Sequence, residues 1–204
     1  MYEYFTKRVL DFFFASILLL ILCIPMVIIG LIIKLTSKGP AIFIQERYGK
    51  NSKPFNLYKF RSMSDKAPER ANSEFNNIKD YVTPFGMFIR KTSIDELPQL
   101  WNILKGDMSF IGPRPLAVTD LKVLQLRKQN GGDLVLPGIS GLAQVSGRNK
   151  LVDEEKAFYD GKYAHNVSFR FDTLLVVETI LSVLKREGIF KETLNEDIFD
   201  KEKK

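Results

Sequence analysis

The stretch FFFASILLLILCIPMVIIGLII, Phe12 to Ile33, holds twenty-two residues without a charge. No other feature limits the fold as much, because such a segment must lie against protein or lipid. As a straight helix it extends about 33 Å, enough to cross a bilayer. It is long for the apolar region of a signal peptide, and no small-x-small cleavage site follows it cleanly. Lys7 and Arg8 precede it; Lys34, Lys38, Arg47, Lys50 and Lys53 follow it. Positive charge marks the cytoplasmic side, so a single span would put one basic cluster on the wrong side. Pro25 offers a way out, since it removes a backbone donor and crowds the carbonyl of Ile21. The segment then divides into two arms, each too short to span. The expectation is a re-entrant hairpin that returns both ends to the cytoplasm. A spanning anchor with a mild kink is the alternative.

The charge distribution agrees with a membrane location. Residues 1–61 hold nine Lys/Arg against three Asp/Glu, a net of +6, and residues 62–204 hold twenty-one of each. The excess flanks the apolar segment, where anionic lipid headgroups explain it better than nucleic acid does. Cys23 and His165 are the only residues of their kinds. This excludes an intrachain disulfide and a Cys/His metal cluster, and a lone cysteine fits a reducing compartment. A Ser-His-Asp triad would need His165, and no G-x-S-x-G elbow accompanies it. Neither G-x-G-x-x-G nor G-x-x-x-x-G-K-[ST] is present, so the usual nucleotide loops are missing.

The 204 residues suffice for one domain plus an accessory segment. GPAIFIQERYG and KPFNLYKFRSM alternate aliphatic or aromatic residues between Gly or Pro borders and read as short strands. Lys66 to Lys79 reads as an exposed loop or a mobile helix. Asp120 to Asn130 reads as a short helix with Lys122, Arg127 and Lys128 on its polar side. LPGISGLAQVSGRNK is rich in Gly and Ser and reads as a loop, with Gln144, Arg148 and Asn149 available for ligand contact. Val167 to Arg186 has helical spacing, and its apolar stripe reads as core-facing rather than membrane-facing. Phe190 to Lys204 reads as a solvated tail.

The chemistry concentrates in KTSIDELPQLWNILKGDMSFIGPRP, Lys91 to Pro115. Ser93-Ile94-Asp95-Glu96 fits a capping box. Pro98 argues against Ser93 as the cap, because Pro98 would then stand where an N–H is expected. With Asp95 as the cap, Pro98 needs no donor. Asp95 would then stand at the mouth of a helix start, where phosphate groups also bind. Capping and a reaction are both open from this stretch alone.

Taken in order, the motifs resemble a known family. KRVLDFFFA, Pro25 within the apolar segment, GPAIFIQERYG, KFRSM, IDELPQLWNILKGDMSFIGPRP and PGISGLAQVSGRN are similar to those of the small bacterial monotopic phosphoglycosyl transferases. The resemblance runs from about Tyr4 to Gly188. It implies transfer of a phosphosugar from a UDP-sugar to polyprenyl phosphate, with Asp95 as the nucleophile, UMP as the leaving group and Glu96 helping to hold Mg²⁺. It also implies that the apolar segment is a re-entrant hairpin bent at Pro25.

The physics suits that chemistry. A carboxylate is a competent nucleophile toward phosphorus. Its approach to a pyrophosphate demands cations: Mg²⁺ on oxygen ligands, and nearby Arg or Lys. Arg114, between Pro113 and Pro115, is the first candidate for a phosphate clamp. Lys59, Arg61, Arg90 and Arg148 follow it, each with a structural role as the alternative. This sequence departs from the family's pattern at Ile24, where serine is frequent before the proline. It departs again at Ser140 and Ser146, where threonine and asparagine are common. It also looks like a minimal catalytic form, without the N-terminal multi-helix membrane domain of longer relatives.

The expected fold is α/β, mostly helical with short strands. A re-entrant membrane segment over residues 1–36 precedes a compact catalytic domain over 37–190 with interfacial amphipathic helices, then a polar tail over 191–204. The expected place is the cytoplasmic face of the bacterial inner membrane, with UDP-sugar, polyprenyl phosphate and membrane lipids as partners and no nucleic acid. The motifs select neither the sugar nor an oligomeric state. A metal-dependent nucleotide-sugar phosphodiesterase and a non-catalytic membrane-anchored scaffold are the competing readings.

Overall fold

A computed structural model of the chain describes residues 2–64, 81–147 and 151–184. The fold is mostly helical with short strands. After one π-helical turn, Tyr2–Thr6, a single helix α1 runs Lys7–Thr36. Pro25 lies inside α1, and the helix continues across it. By length and composition α1 could cross a membrane.

One stripe of α1 is committed to protein. Lys7, Asp11, Ala15 and Ile33 are buried, and Leu18, Leu19, Leu22, Met26 and Ile29 pack beside them. These positions recur every three or four residues, so they share a face. The remaining faces carry Phe12, Phe13, Leu20, Ile21, Ile24, Ile28 and Leu35, all exposed. An apolar surface this long and continuous is not suited to water and marks membrane contact.

The expected strands pair as a hairpin. β1 (Ile42–Tyr48) runs antiparallel to β2 (Pro54–Phe60), from Ile42 opposite Phe60 to Tyr48 opposite Pro54. Asn51 and Ser52 reverse the chain with φ of 56° and 55°. α2 (Pro84–Lys91) starts on Thr83, whose Oγ1 accepts the Gly86 N–H at 2.9 Å. α3 (Gln99–Lys105) ends on left-handed Gly106 and leads into β3 (Ser109–Ile111). β4 (Leu116–Ala117) adds to the open edge of β1, and α4 follows over Leu121–Asn130. β5 (Gly138–Ser140) runs parallel to β3, and α5 (Leu142–Ser146), α6 (Asp153–Ala164) and α7 (Phe169–Leu184) complete the described chain.

The core joins α1 to this domain at both ends. Ala15 packs with Leu57, Leu100, Ile103 and Met108; Ile33 packs with Phe60 and Ile89. Arg8 donates to the carbonyls of Ile103 and Leu104, and Asp11 Oδ1 accepts the Phe110 N–H at 3.2 Å. Lys7 pairs with Asp172 at 2.6 Å, and Asp172 also accepts from Tyr163 at 2.7 Å and Tyr2 at 2.8 Å.

Three expectations change. The stretch from Leu136 is not a plain loop: it holds β5 and α5, because its glycines admit close backbone packing. A Cβ on Gly138 would stand 2.1 Å from the Gly112 nitrogen, so only glycine fits there. Arg127 is not on a polar face but is 5% exposed, beside buried Val123 and Leu124. α7 packs through Phe171 and Leu175, yet leaves Phe169, Leu174, Val177, Ile180 and Leu181 exposed, so only one face is core. Residues 66–79, Arg148 and the tail from Phe190 lie outside the described residues.

Candidate active site

The turn carrying Asp95 and Glu96 is fixed from beneath. Ser93 adopts φ 56°, which reverses the chain after α2, and Ile94–Glu96 form one 3₁₀ turn. Ile94 and Leu97, three residues apart, both pack onto the Ile33–Phe60–Ile89 cluster. That leaves the intervening Asp95 and Glu96 on the other side. Buried Pro98 is the N-cap of α3, where a missing N–H costs nothing. Neither cap read from the sequence is present: Ser93 makes no side-chain cap, as Pro98 argued, and Pro98 rather than Asp95 is the N-cap of a helix that starts at Gln99.

Cations surround the pair. Lys59, on β2, bonds Glu96 Oε1 at 3.0 Å. Burial raises the Asp95 carboxyl to about 6, repulsion from Glu96 adds to the rise, and Lys59 and Arg90 pull it down. At neutral pH Asp95 remains mostly ionised, which a nucleophile requires. Next to the pair lies a cleft lined by Arg47, Lys59, Glu96, Gln99 and Arg114.

Arg114 stands in a turn locked on three sides. The Pro113 carbonyl accepts from Gly138 N at 2.9 Å, and Gly112 N donates to Ser140 O at 2.8 Å. The Arg114 carbonyl accepts from Arg127 Nη1 at 3.0 Å. The exposed Arg114 side chain is thus carried on a rigid base.

Of the residues singled out in the sequence, Asp95, Glu96, Lys59, Arg90 and Arg114 converge here, while Pro113 is buried outside the cleft lining and serves the turn through its carbonyl. Arg61 is not brought to this group: its Nη2 donates to Ser37 O at 2.9 Å and Ser37 Oγ at 2.8 Å, where it holds the end of α1. Gln144 lies outside the cleft lining, and both its amide atoms are buried without a partner among the described residues. Sequence reasoning missed Arg47, Gln99, Arg127 and Asp160. The alternation of β1 puts Gln45 and Arg47 on one face and was a usable signal for Arg47. The position of Arg127 one turn beyond Val123 was a usable signal for its burial.

Among the described residues, no group of three or more Asp, Glu, His or Cys could hold a metal by itself. Glu96, whose charge adds to the rise of the Asp95 carboxyl, is an oxygen donor of the kind that suits Mg²⁺. This ion is commonly bound through one or two carboxylates plus substrate phosphates.

The model of the bacterial sugar transferase family matches residues 2–186. The uncharacterized sugar transferase EpsL of Bacillus subtilis is 41% identical over 183 residues, covering 90% of this chain and 89% of that protein. The undecaprenyl-phosphate galactose phosphotransferase of Salmonella typhimurium is 38% identical over 205 residues, covering 91% of this chain and 42% of that protein. The UDP-N-acetylgalactosamine-undecaprenyl-phosphate N-acetylgalactosaminephosphotransferase of Aeromonas hydrophila is 41% identical, with 90% and 45% covered. The chain thus spans nearly all of the first and less than half of the other two.

Proposed function

The chain belongs to the bacterial sugar transferase family, and from that premise we propose that it is a polyprenyl-phosphate phosphoglycosyl transferase acting on a UDP-sugar. The observation that carries this reading is the Asp95–Glu96 pair, raised on its turn and faced by Lys59, Arg90 and Arg114. A carboxylate with a pKa of about 6 is ionised at neutral pH, yet less hydrated than one on an open surface. The relatives named for undecaprenyl-phosphate galactose and N-acetylgalactosamine transfer support the donor and acceptor classes.

The reaction runs in two displacements. An Asp95 carboxylate oxygen attacks the sugar-linked phosphorus, and the bond to the bridging oxygen breaks. The electron pair leaves on UMP, and a phosphosugar-aspartate remains. A phosphate oxygen of polyprenyl phosphate then attacks the same phosphorus and releases the Asp95 carboxylate, giving a polyprenyl-diphosphate sugar. Lys59 and Arg90 offset the charge of the approaching anions. Glu96 would help to hold Mg²⁺, which would supply charge neutralisation there.

The site works on the cytoplasmic face of the bacterial inner membrane. α1 is re-entrant rather than spanning. The contacts at both ends of α1 support this, because a spanning helix packed along its length would draw the polar surface of the domain into lipid. The exposed apolar rows of α1 and α7 then rest in one leaflet.

The test is UMP release by purified protein with undecaprenyl phosphate and a panel of UDP-sugars. Acceptor-dependent UMP with a lipid-linked phosphosugar product is expected. Free sugar phosphate formed without acceptor would make the protein a phosphodiesterase. No UMP with any donor would leave a scaffold.

A further inference from the structure

Arg47 takes no part in the steps above, yet its placement is specific. β4 brings two distant segments together: Ala117 pairs with Arg47, and Arg114 lies just upstream of Ala117. Along the hairpin, Gln45 stands opposite Leu57 and Phe43 opposite Lys59, so alternation puts Arg47 on the same sheet face as Leu57 and Lys59. All three side chains line the cleft that also holds Glu96 and Arg114. Gln45 orients the guanidinium, accepting from Arg47 Nη2 at 2.6 Å.

The charge of Arg47 is not balanced locally. Among the described residues, no carboxylate stands within ion-pair distance of Arg47 or Arg114. The acids that reach Arg47 electrostatically are Asp120 and Glu96. Asp120 accepts the Ala117 N–H at 2.8 Å, and Glu96 accepts from Lys59 at 3.0 Å. Arg47 Nε is buried and has no acceptor among the described residues. Burial lowers the affinity of Arg47 for its proton, and the neighbouring Arg114 lowers it further. A buried Arg47 guanidinium that shares its cleft with a second cation, Arg114, is unfavourable until an anion joins them. Their planar forks match phosphate oxygens.

Lys59 is held by its bond to Glu96, while Arg47 is held by Gln45 and lines the cleft with Arg114, and Asp95 is not among the cleft-lining residues. We propose that Arg47 is a donor-binding residue which, with Arg114, holds the nucleotide phosphate that departs. This rests on the reading of the site as a phosphosugar transferase. It adds that leaving-group recognition comes from β1, before the chemistry-bearing segment begins.

The experiment compares wild type with Arg47→Gln and Arg47→Lys in steady-state kinetics, with UMP and uridine as inhibitors. Loss of a charge-assisted phosphate contact weakens binding on the order of ten- to a hundredfold. Arg47→Gln is therefore expected to raise the donor KM and the UMP inhibition constant by that factor. The polyprenyl phosphate KM and inhibition by uridine should stay unchanged. Arg47→Lys keeps the charge without the fork, should fall between the two, and serves if the glutamine variant fails to fold. An unchanged UMP inhibition constant in a folded variant overturns the inference. Equal losses for UMP and uridine also overturn it, since they mark a general distortion. Absence of UMP release by wild type is a different result and removes the transferase reading itself.

Discussion

Arg127 of α4 donates to the backbone carbonyl of Arg114 at 3.0 Å while its Nε and Nη2 hold Asp160 Oδ2 at 2.8 and 2.6 Å. The ion pair is almost fully buried, with side chains 7% and 1% exposed. It links α4 and α6 and fixes the turn that presents Arg114.

Arg127→Ala should destabilise the protein by about 3–5 kcal/mol, because Asp160 is left charged and unpaired. The double variant Arg127→Met with Asp160→Leu removes both charges and should recover most of the melting temperature. Its donor KM should still be raised several-fold, because nothing anchors the Arg114 carbonyl. A wild-type donor KM in the double variant would limit the pair to a structural role.

Asp95→Asn should abolish turnover, since an amide is a far poorer nucleophile than a carboxylate. It should also raise the melting temperature at neutral pH. Asp95 titrates near 6 in the fold against 3.8 unfolded, so its ionised form costs the native state up to about 3 kcal/mol. The advantage of Asn should be full above pH 6, shrink as pH falls, and vanish below pH 3.8. Thermal melts of both proteins across that range measure it. A constant gap would dissociate the effect from Asp95 ionisation.

The acid limb of kcat/KM should lie near pH 6, where Asp95 becomes protonated. Lys59 holds that pKa down, so Lys59→Met should move the limb to higher pH. A pH–rate profile in which the limb stays in place would show that another group controls it.

Activity should need a hard divalent cation, and Glu96→Ala should lose most of it. EDTA should stop UMP release, and added Mg²⁺ should restore it. Full turnover in excess EDTA would remove the metal from the reaction.

Thr6 and Lys38 flank α1 and are both exposed, so each can be replaced by cysteine in a Cys23→Ser background. If α1 is re-entrant, a membrane-impermeant thiol reagent should reach neither until the cells are opened. Labelling of one position in intact cells would make α1 a spanning anchor. The Asp95 chemistry would survive that outcome, because it depends only on the side occupied by the residues after α1.

Much was legible because it is local. A charge-free run of twenty-two residues can only be a lipid- or protein-covered element. Alternation marked β1 and β2, and helical spacing marked α4 and α7. The Asp95–Glu96 pair and Arg114 stood out through the order of the motifs around them.

Other features came from contacts that spacing cannot encode. The capping box was present as a pattern, but Ile94 and Leu97 are drawn to the cluster of Ile33, Phe60 and Ile89, which forces Ser93 left-handed and delays the helix. Arg61 and Arg114 look alike in sequence. The fold gives one to the end of α1, where Ser37 accepts its hydrogen bonds, and the other to the cleft, on a turn whose carbonyl is held by Arg127. The sequence by itself determined that this chain has an apolar helix, a basic flank and a carboxylate pair. Only the tertiary structure decided which stripe of that helix is protein-covered and which arginines surround that pair, because those outcomes rest on strand register and packing between residues far apart in the chain.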